Sequence, residues 1–356
     1  MGLGGVSQYA AINAHVRSMY SSMLTEQEFT RLIEAPDFAS LLEQLKGTGY
    51  GPYLERVGEK DLTARRAAYQ IRERLADAYN TLITTAPSQT KNLLMQLYRH
   101  FEVTNLKAVL RGIVAGWTWD QVRFLLFPFG PSGVIPAEAM IETHNVASAV
   151  ELLQGTPYYE TLSFAMKRYS AEGTLFPLEV ALDLTYWRNL WNDVMQLTGQ
   201  DRTQAMRIIG PYLDSTNLMW AIRYRVYHHL SEEEIVNYTL PFGYRVSDEA
   251  IRSIAAGADI GMVVSRIYPG LPDIDSLLEQ PQGLQALELL LQRNVVAACR
   301  AAFLGDPFHI GIPIAYLMLF RMEVQDLTVL LEEKETGIKV EDIRKYLMMP
   351  VESERS

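Results

Sequence analysis

Three stretches of this chain carry one apolar grid. Phe38, Leu41, Leu42 and Leu45 recur as Val146, Ala149, Val150 and Leu153, and again as Ile260, Val263, Val264 and Ile267. The spacing i, i+3, i+4, i+7 puts each set on one face of a helix. Two copies end alike, in Leu45-Lys-Gly47-Thr48 and Leu153-Gln-Gly155-Thr156, with glycine just past the helix; the third has Tyr268-Pro269-Gly270. At a nearly constant distance beyond each stripe stands a second signal: Glu102-Val-Thr-Asn105-Leu106, Asp214-Ser-Thr-Asn217-Leu218 and Glu323-Val-Gln-Asp326-Leu327. A helix start follows each: Thr118-Trp-Asp-Gln121 and Ser231-Glu-Glu-Glu234 read as capping boxes, and Lys339-Val-Glu-Asp342 is a weaker version. Each of those helices is expected to stop at a proline, Pro128, Pro241 or Pro350. Even the flanks agree, Phe127-Pro-Phe-Gly130 against Leu240-Pro-Phe-Gly243.

One such stripe means only a helix with a buried face. Three signals in one order, repeated three times about 110 residues apart, point to a triplicated domain, because ordinary solenoid repeats run to only about 20–50 residues. The expected domains are residues 1–130, 131–243 and 244–350, related by pseudo-three-fold symmetry, with a charged tail at 351–356. Glu102, Asn105, Arg111, Asp214, Asn217, Arg223, Glu323 and Asp326 are then structural anchor positions of the repeat. Arg111 and Arg223 each lie six residues beyond the anchor asparagine, where the third copy has Glu332. The two arginines are expected to pair inside their own domains with Glu102 and Asp214, since buried charge is normally paired; contact with a partner protein is the alternative.

Apolar residues recur at three- and four-residue spacing nearly everywhere, as in Ile71, Leu75, Ala78, Tyr79 and Leu82. The chain therefore reads as all-α, roughly 70% helix against a base rate near one third. Its 356 residues, 48% hydrophobic, exceed one comfortable domain. A net charge of −10 argues against nucleic acid, whose phosphates need a basic footprint. The single cysteine, Cys299, excludes a disulfide framework and a cysteine zinc site, fits a cytosolic compartment and reads as an inert buried thiol. The longest uncharged runs, 124–137 and 307–320, are too short and too interrupted by Pro and Gly to span a bilayer. The N-terminus lacks the basic and apolar regions of a signal peptide, and Val6 breaks a myristoylation motif.

No catalytic constellation emerges. A phosphate loop would need lysine after its glycines and a preceding strand; Gly47-Thr-Gly49-Tyr-Gly51 has neither and reads as a helix cap and turn. The histidines, His15, His100, His144, His228, His229 and His309, form no metal-ligand spacing. The acidic groups 232–234, 332–335 and 352–354 read as solvated helix faces and termini, and Tyr186, Trp187 and Trp191 as core. No cofactor is expected, and the isolated chain is expected neither to bind nor to hydrolyse ATP.

Tyr9-Ala-Ala-Ile-Asn-Ala-His-Val-Arg17, Leu175-Phe-Pro-Leu-Glu179 with Leu182-Asp183 and Tyr186, and above all Pro307-Phe-His-Ile-Gly311 with Ala315-Tyr316 and Glu323-Val-Gln-Asp326-Leu327 resemble one family. It is the C (d) subunit of the V/A-type rotary ATPases, and the resemblance runs through essentially the whole chain. The chain departs from the pattern at Asp326, where the other two copies have asparagine, and at His15, where arginine is expected. The resemblance implies a non-catalytic, funnel-like body of three similar helical domains. Such a body receives the central stalk, caps the membrane rotor ring and transmits torque between the ATP-handling head and ion transport. It implies a peripheral position on the cytoplasmic face, held by protein contacts with no lipid insertion and no direct nucleotide. Two other readings remain open at this stage: a helical-repeat adaptor for a different complex, and an all-α enzyme with a paired-carboxylate site.

Overall fold

A computed structural model describes residues 3–58, 62–128, 130–272, 274–280, 282–337, 343–344 and 346–349, with the side chains of 3–8 and 89 left aside. Helix accounts for 72% of the described residues, and there is no strand among them. The weaker helix start Lys339-Val-Glu-Asp342, Pro350 and the charged tail lie outside the described residues.

The three sequence stripes are three short helices, Phe38–Lys46, Val146–Glu151 and Ile260–Ile267. Each begins directly after an acidic or amide residue that caps it. Asp37 accepts from the Ser40 N–H at 2.8 Å, Asn145 from Ser148 at 2.9 Å and Asp259 from Met262 at 2.7 Å. A side-chain oxygen there satisfies one of the four backbone donors that a helix start leaves open. The stripe residues at i+3 and i+4 are buried in every copy: Leu41 and Leu42, Ala149 and Val150, Val263 and Val264. Gly47-Thr-Gly49-Tyr-Gly51 is a helix cap and turn leading into the single helical turn Gly51–Leu54.

The chain clusters into two compact units. One comprises Met1–Glu34, Val194–Val329 and Ile338–Ser356; the other comprises Ala35–Asp193 and Leu330–Gly337. In the second unit the helices Ala64–Thr85 and Ser88–Val114 pack together around Tyr79, Tyr98, Phe101 and Phe127. Phe101 and Phe127 stack with centroids 3.8 Å apart, and Tyr79 meets Phe101 edge-on at 5.3 Å, geometries that add to simple burial. In the first unit Gly199–Val226 packs along Gly283–Ala302. The second-unit segment Leu330–Gly337 ends the long helix Gly311–Thr336, whose first-unit part is buried on almost every side from Ile312 to Val324. A helix apolar all round is a core helix, which is why its sequence looks nearly hydrophobic enough for a membrane. No helix among the described residues is long and apolar enough to cross one.

Both complete capping boxes form. The Thr118 N–H donates to Oε1 of Gln121 at 2.8 Å, and the Ser231 N–H donates to Oε2 of Glu234 at 2.9 Å while Ser231 Oγ accepts from the Glu234 N–H at 3.3 Å. The helices they start end sooner than expected, at Val122 and Asn237 rather than at the prolines. Phe127 and Leu240, the residues before the prolines, lie beyond those helix ends, where proline disfavours helical geometry, and their backbone groups need other partners. Replacing Ser231 with Ala removes the cap oxygen and should lower stability by about 1 kcal/mol, read as a lower urea midpoint at unchanged slope; an unchanged midpoint would mean that the cap contributes nothing.

Candidate functional site

The anchor residues lie on the three longest helices, Ser88–Val114, Gly199–Val226 and Gly311–Thr336. Glu102, Asn105, Asp214, Asn217, Glu323 and Asp326 are all at most 3% exposed. A polar group that deep costs stability unless hydrogen-bonded, and its partners define the site.

The second residue of each anchor holds a segment 22 or 23 residues further along the chain. Asn105 Oδ1 accepts from the Phe127 N–H at 2.8 Å while its Nδ2 donates to the Phe127 carbonyl at 2.9 Å. Asn217 treats Leu240 identically, at 2.8 and 2.9 Å. The amide thus matches one donor and one acceptor of the residue that stands before the proline. Asp326 has no amide donor, and its two oxygens accept from two successive amides instead, Met348 at 2.9 Å and Met349 at 2.7 Å. The exchange of Asn for Asp in the third copy is therefore a change of grip on the corresponding segment, here just before Pro350.

The first residue of each anchor holds a second segment, in each case just before a helix. Glu102 accepts from the Val134 N–H at 2.9 Å, just before the helix Ala137–Glu142. Asp214 accepts from Tyr244 and Arg245 at 2.7 and 2.6 Å, just before Asp248–Ala255. Glu323 accepts from the Leu24 N–H at 3.0 Å, just before Glu26–Glu34 near the start of the chain. Two of these acids also take a tyrosine hydroxyl from the region after the next stripe: Tyr158 donates to Glu102 and Tyr268 to Asp214. The flanking glycines fit this crowding. A Cβ on Gly243 would sit 2.7 Å from Asp214 Oδ1 and closer still to the Val246 carbonyl oxygen, and one on Gly130 would collide with Asn80 Nδ2.

Arg111 and Arg223 do not pair with Glu102 and Asp214. Nine residues separate each arginine from its acid, and at 3.6 residues per turn that places them on opposite sides of the helix. Arg111 instead meets Glu179 with two contacts of 2.6 and 2.7 Å, one turn from Lys107 on Asp183 at 2.7 Å, so both cations grip the helix Phe176–Gln196. Arg223 meets Glu288 on Gly283–Ala302 at 2.5 Å. Glu332, the corresponding residue of the third copy, interacts electrostatically with Arg72 on Ala64–Thr85. The sign of the pair is reversed there, which accounts for the odd acid at that position. These pairs are partly exposed and contribute little individually.

Burial pushes the Glu102 and Asp214 carboxyls above their ordinary range, against the opposing pull of their hydrogen bonds. Burial raises Asp326 to about 7, with the Met348 and Met349 amides working against it. Burial likewise lifts the Cys299 thiol to about 12, away from reactivity at neutral pH. Among the described residues no cluster of three His, Cys, Asp or Glu side chains could hold a metal ion.

The two terminal motifs that carry the resemblance also meet. Asn13 Nδ2 donates to the Pro307 and His309 carbonyls. Asp201 accepts from the Tyr9 hydroxyl at 2.7 Å and from the Ile310 N–H at 2.9 Å. The sequence profile of the ATP synthase (C/AC39) subunit family matches residues 12–346, spanning these motifs and all three anchors. The chain belongs to that family. Among similar proteins, the C subunit of the A-type ATP synthase of Methanocaldococcus jannaschii is 25% identical over 96% of this chain and 87% of its own length. The C subunits of the Pyrococcus abyssi and Haloferax volcanii A-type ATP synthases are each 22% identical, over 95% and 98% of this chain and 90% and 100% of their own lengths.

The partners Tyr158, Tyr268, Glu179, Asp183, Glu288 and Arg72 carry no signal in the sequence that marks them as anchor partners. The caps Asp37, Asn145 and Asp259, by contrast, carried a readable signal, since each directly precedes its stripe.

The buried Asp326 yields a pH test. Its folded pKa lies above the ordinary 3.8, so its contribution to stability is complete at low pH and is lost as pH rises to about 7. The stability of the natural chain relative to D326N should therefore fall between about pH 4 and 7 and flatten above, in urea unfolding at stepped pH. A pH-independent difference would show that Asp326 does not titrate with folding.

Proposed function

We propose that this chain is the non-catalytic socket of a V/A-type rotary ATPase, linking the central stalk of the ATP-handling head to the membrane rotor ring. It would transmit torque during ion transport coupled to ATP synthesis or hydrolysis. Torque transmission calls for a stiff body with broad protein contacts and no chemistry of its own. The observation that supports this reading most is the double grip of each anchor helix, one buried side chain on its own copy and one on another, inside a family of ATP synthase subunits.

In this reading residues 1–130, 131–243 and 244–350 are three copies of one domain. Asn105, Asn217 and Asp326 occupy equivalent places, and so do Glu102, Asp214 and Glu323. The acid of copy one holds the start of copy two, that of copy two the start of copy three, and that of copy three the start of copy one. The charge pairs from Arg111, Arg223 and Glu332 run in the same cyclic order. Cross-copy hydrogen bonds at every step would keep the copies from sliding under load.

The chain would sit on the cytoplasmic face through protein contacts alone. Rim ion pairs in such contacts weaken with salt screening. Pull-down from detergent-solubilised membranes should recover central-stalk and rotor-ring subunits, and high salt or a mild chaotrope should release the chain without detergent. Recovery of an unrelated complex, or firm binding of the pure chain to protein-free liposomes, would refute the assignment.

A further inference from the structure

The first unit contains a cavity of about 340 Å³, lined by Gln204, Arg207, Tyr244, Arg245, Tyr268 and Asn294 over a floor that includes Ala298 and Ala301. Its charge is opposite to that of the molecule. In a chain of net charge −10, two arginines share this lining and no carboxylate does. Arg245 feels the charge of Asp214, but neither guanidinium forms a close ion pair or a hydrogen bond among the described residues, and the Gln204 and Asn294 amides are likewise without hydrogen-bond partners there.

The carboxylate beneath, Asp214, is already occupied. Its two oxygens accept from the Tyr244 and Arg245 amides, and the Tyr268 hydroxyl bonds to it as well. Those bonds fix the backbone that carries Arg245, whose guanidinium lies 6.0 Å from the centre of the buried Tyr268 ring. Arg207 projects from the helix Gly199–Val226, one turn before Pro211, which also lines the cavity. Alanines at 298 and 301 leave the room that larger side chains would fill.

We propose that this cavity binds a multiply charged phosphate group. Guanidinium forks match phosphate oxygens with paired N–H donors, and the two primary amides can add neutral donors. The binding requires neither a phosphate loop nor catalysis, and it stands independently of the rotary assignment.

Pyrophosphate is the probe, titrated calorimetrically into the full chain in low-salt, phosphate-free buffer. One saturable site is expected, weakened at least about tenfold in R207Q and in R245Q and lost in the double variant. R252Q should bind like the natural chain, because Arg252 is occupied by Asp248 at 2.6 Å. A301E, which places a carboxylate at an exposed position of the lining, should also abolish binding, with circular dichroism showing that each variant is folded. Competition distinguishes the sources of the phosphate: displacement of pyrophosphate by ATP marks a nucleotide, displacement by phosphatidic acid vesicles marks a lipid headgroup, and displacement by neither leaves free phosphates as the ligand; all three support the site. Absence of pyrophosphate binding, binding that survives the double variant, or equally tight binding of malonate would overturn the proposal.

Discussion

A carboxylate or amide buried on a helix and a backbone amide expelled from one have the same problem: each costs stability until it finds a hydrogen bond. In this chain they solve it for each other. Phe127 and Leu240 precede prolines and lie beyond the helix ends, and the side chains of Asn105 and Asn217 supply the bonds that a helix would otherwise make. The acids three residues earlier do the same for the segments that lead into Ala137–Glu142, Asp248–Ala255 and Glu26–Glu34. Six segments outside these helices are tied in this way to one of three long helices.

That arrangement bears directly on the proposed role. Hydrophobic packing is non-directional and tolerates small slides, whereas a bidentate amide on a single backbone residue fixes register. A body that carries load between two partners needs the second property.

Much of this was legible in the chain itself. All-helical architecture follows from the periodicity, and the anchors follow from their repetition. The capping boxes at Thr118 and Ser231 are local, so sequence alone places them. What the sequence hid depends on tertiary geometry. Glu179 and Glu288 are ordinary helical acids until another helix brings an arginine to them, so Arg111 and Arg223 were assigned to nearer acids that in fact lie across their own helix. The helix ends were misplaced for a similar reason: proline acts on the residue before it, and the capture of that residue by an asparagine more than twenty positions away is not a local signal. Asp326 departs from the asparagine pattern, and its two backbone partners show how an acid can hold the segment there.

Hydrogen exchange at the captured amides tests the central claim most directly. Phe127, Leu240, Met348 and Met349 lie outside the helices, yet each donates its N–H to a buried anchor side chain. Their amides should exchange as slowly as those in the cores of the long helices, opening only with the surrounding unit. Exchange at the rate of exposed loops would mean that the anchors do not hold these segments.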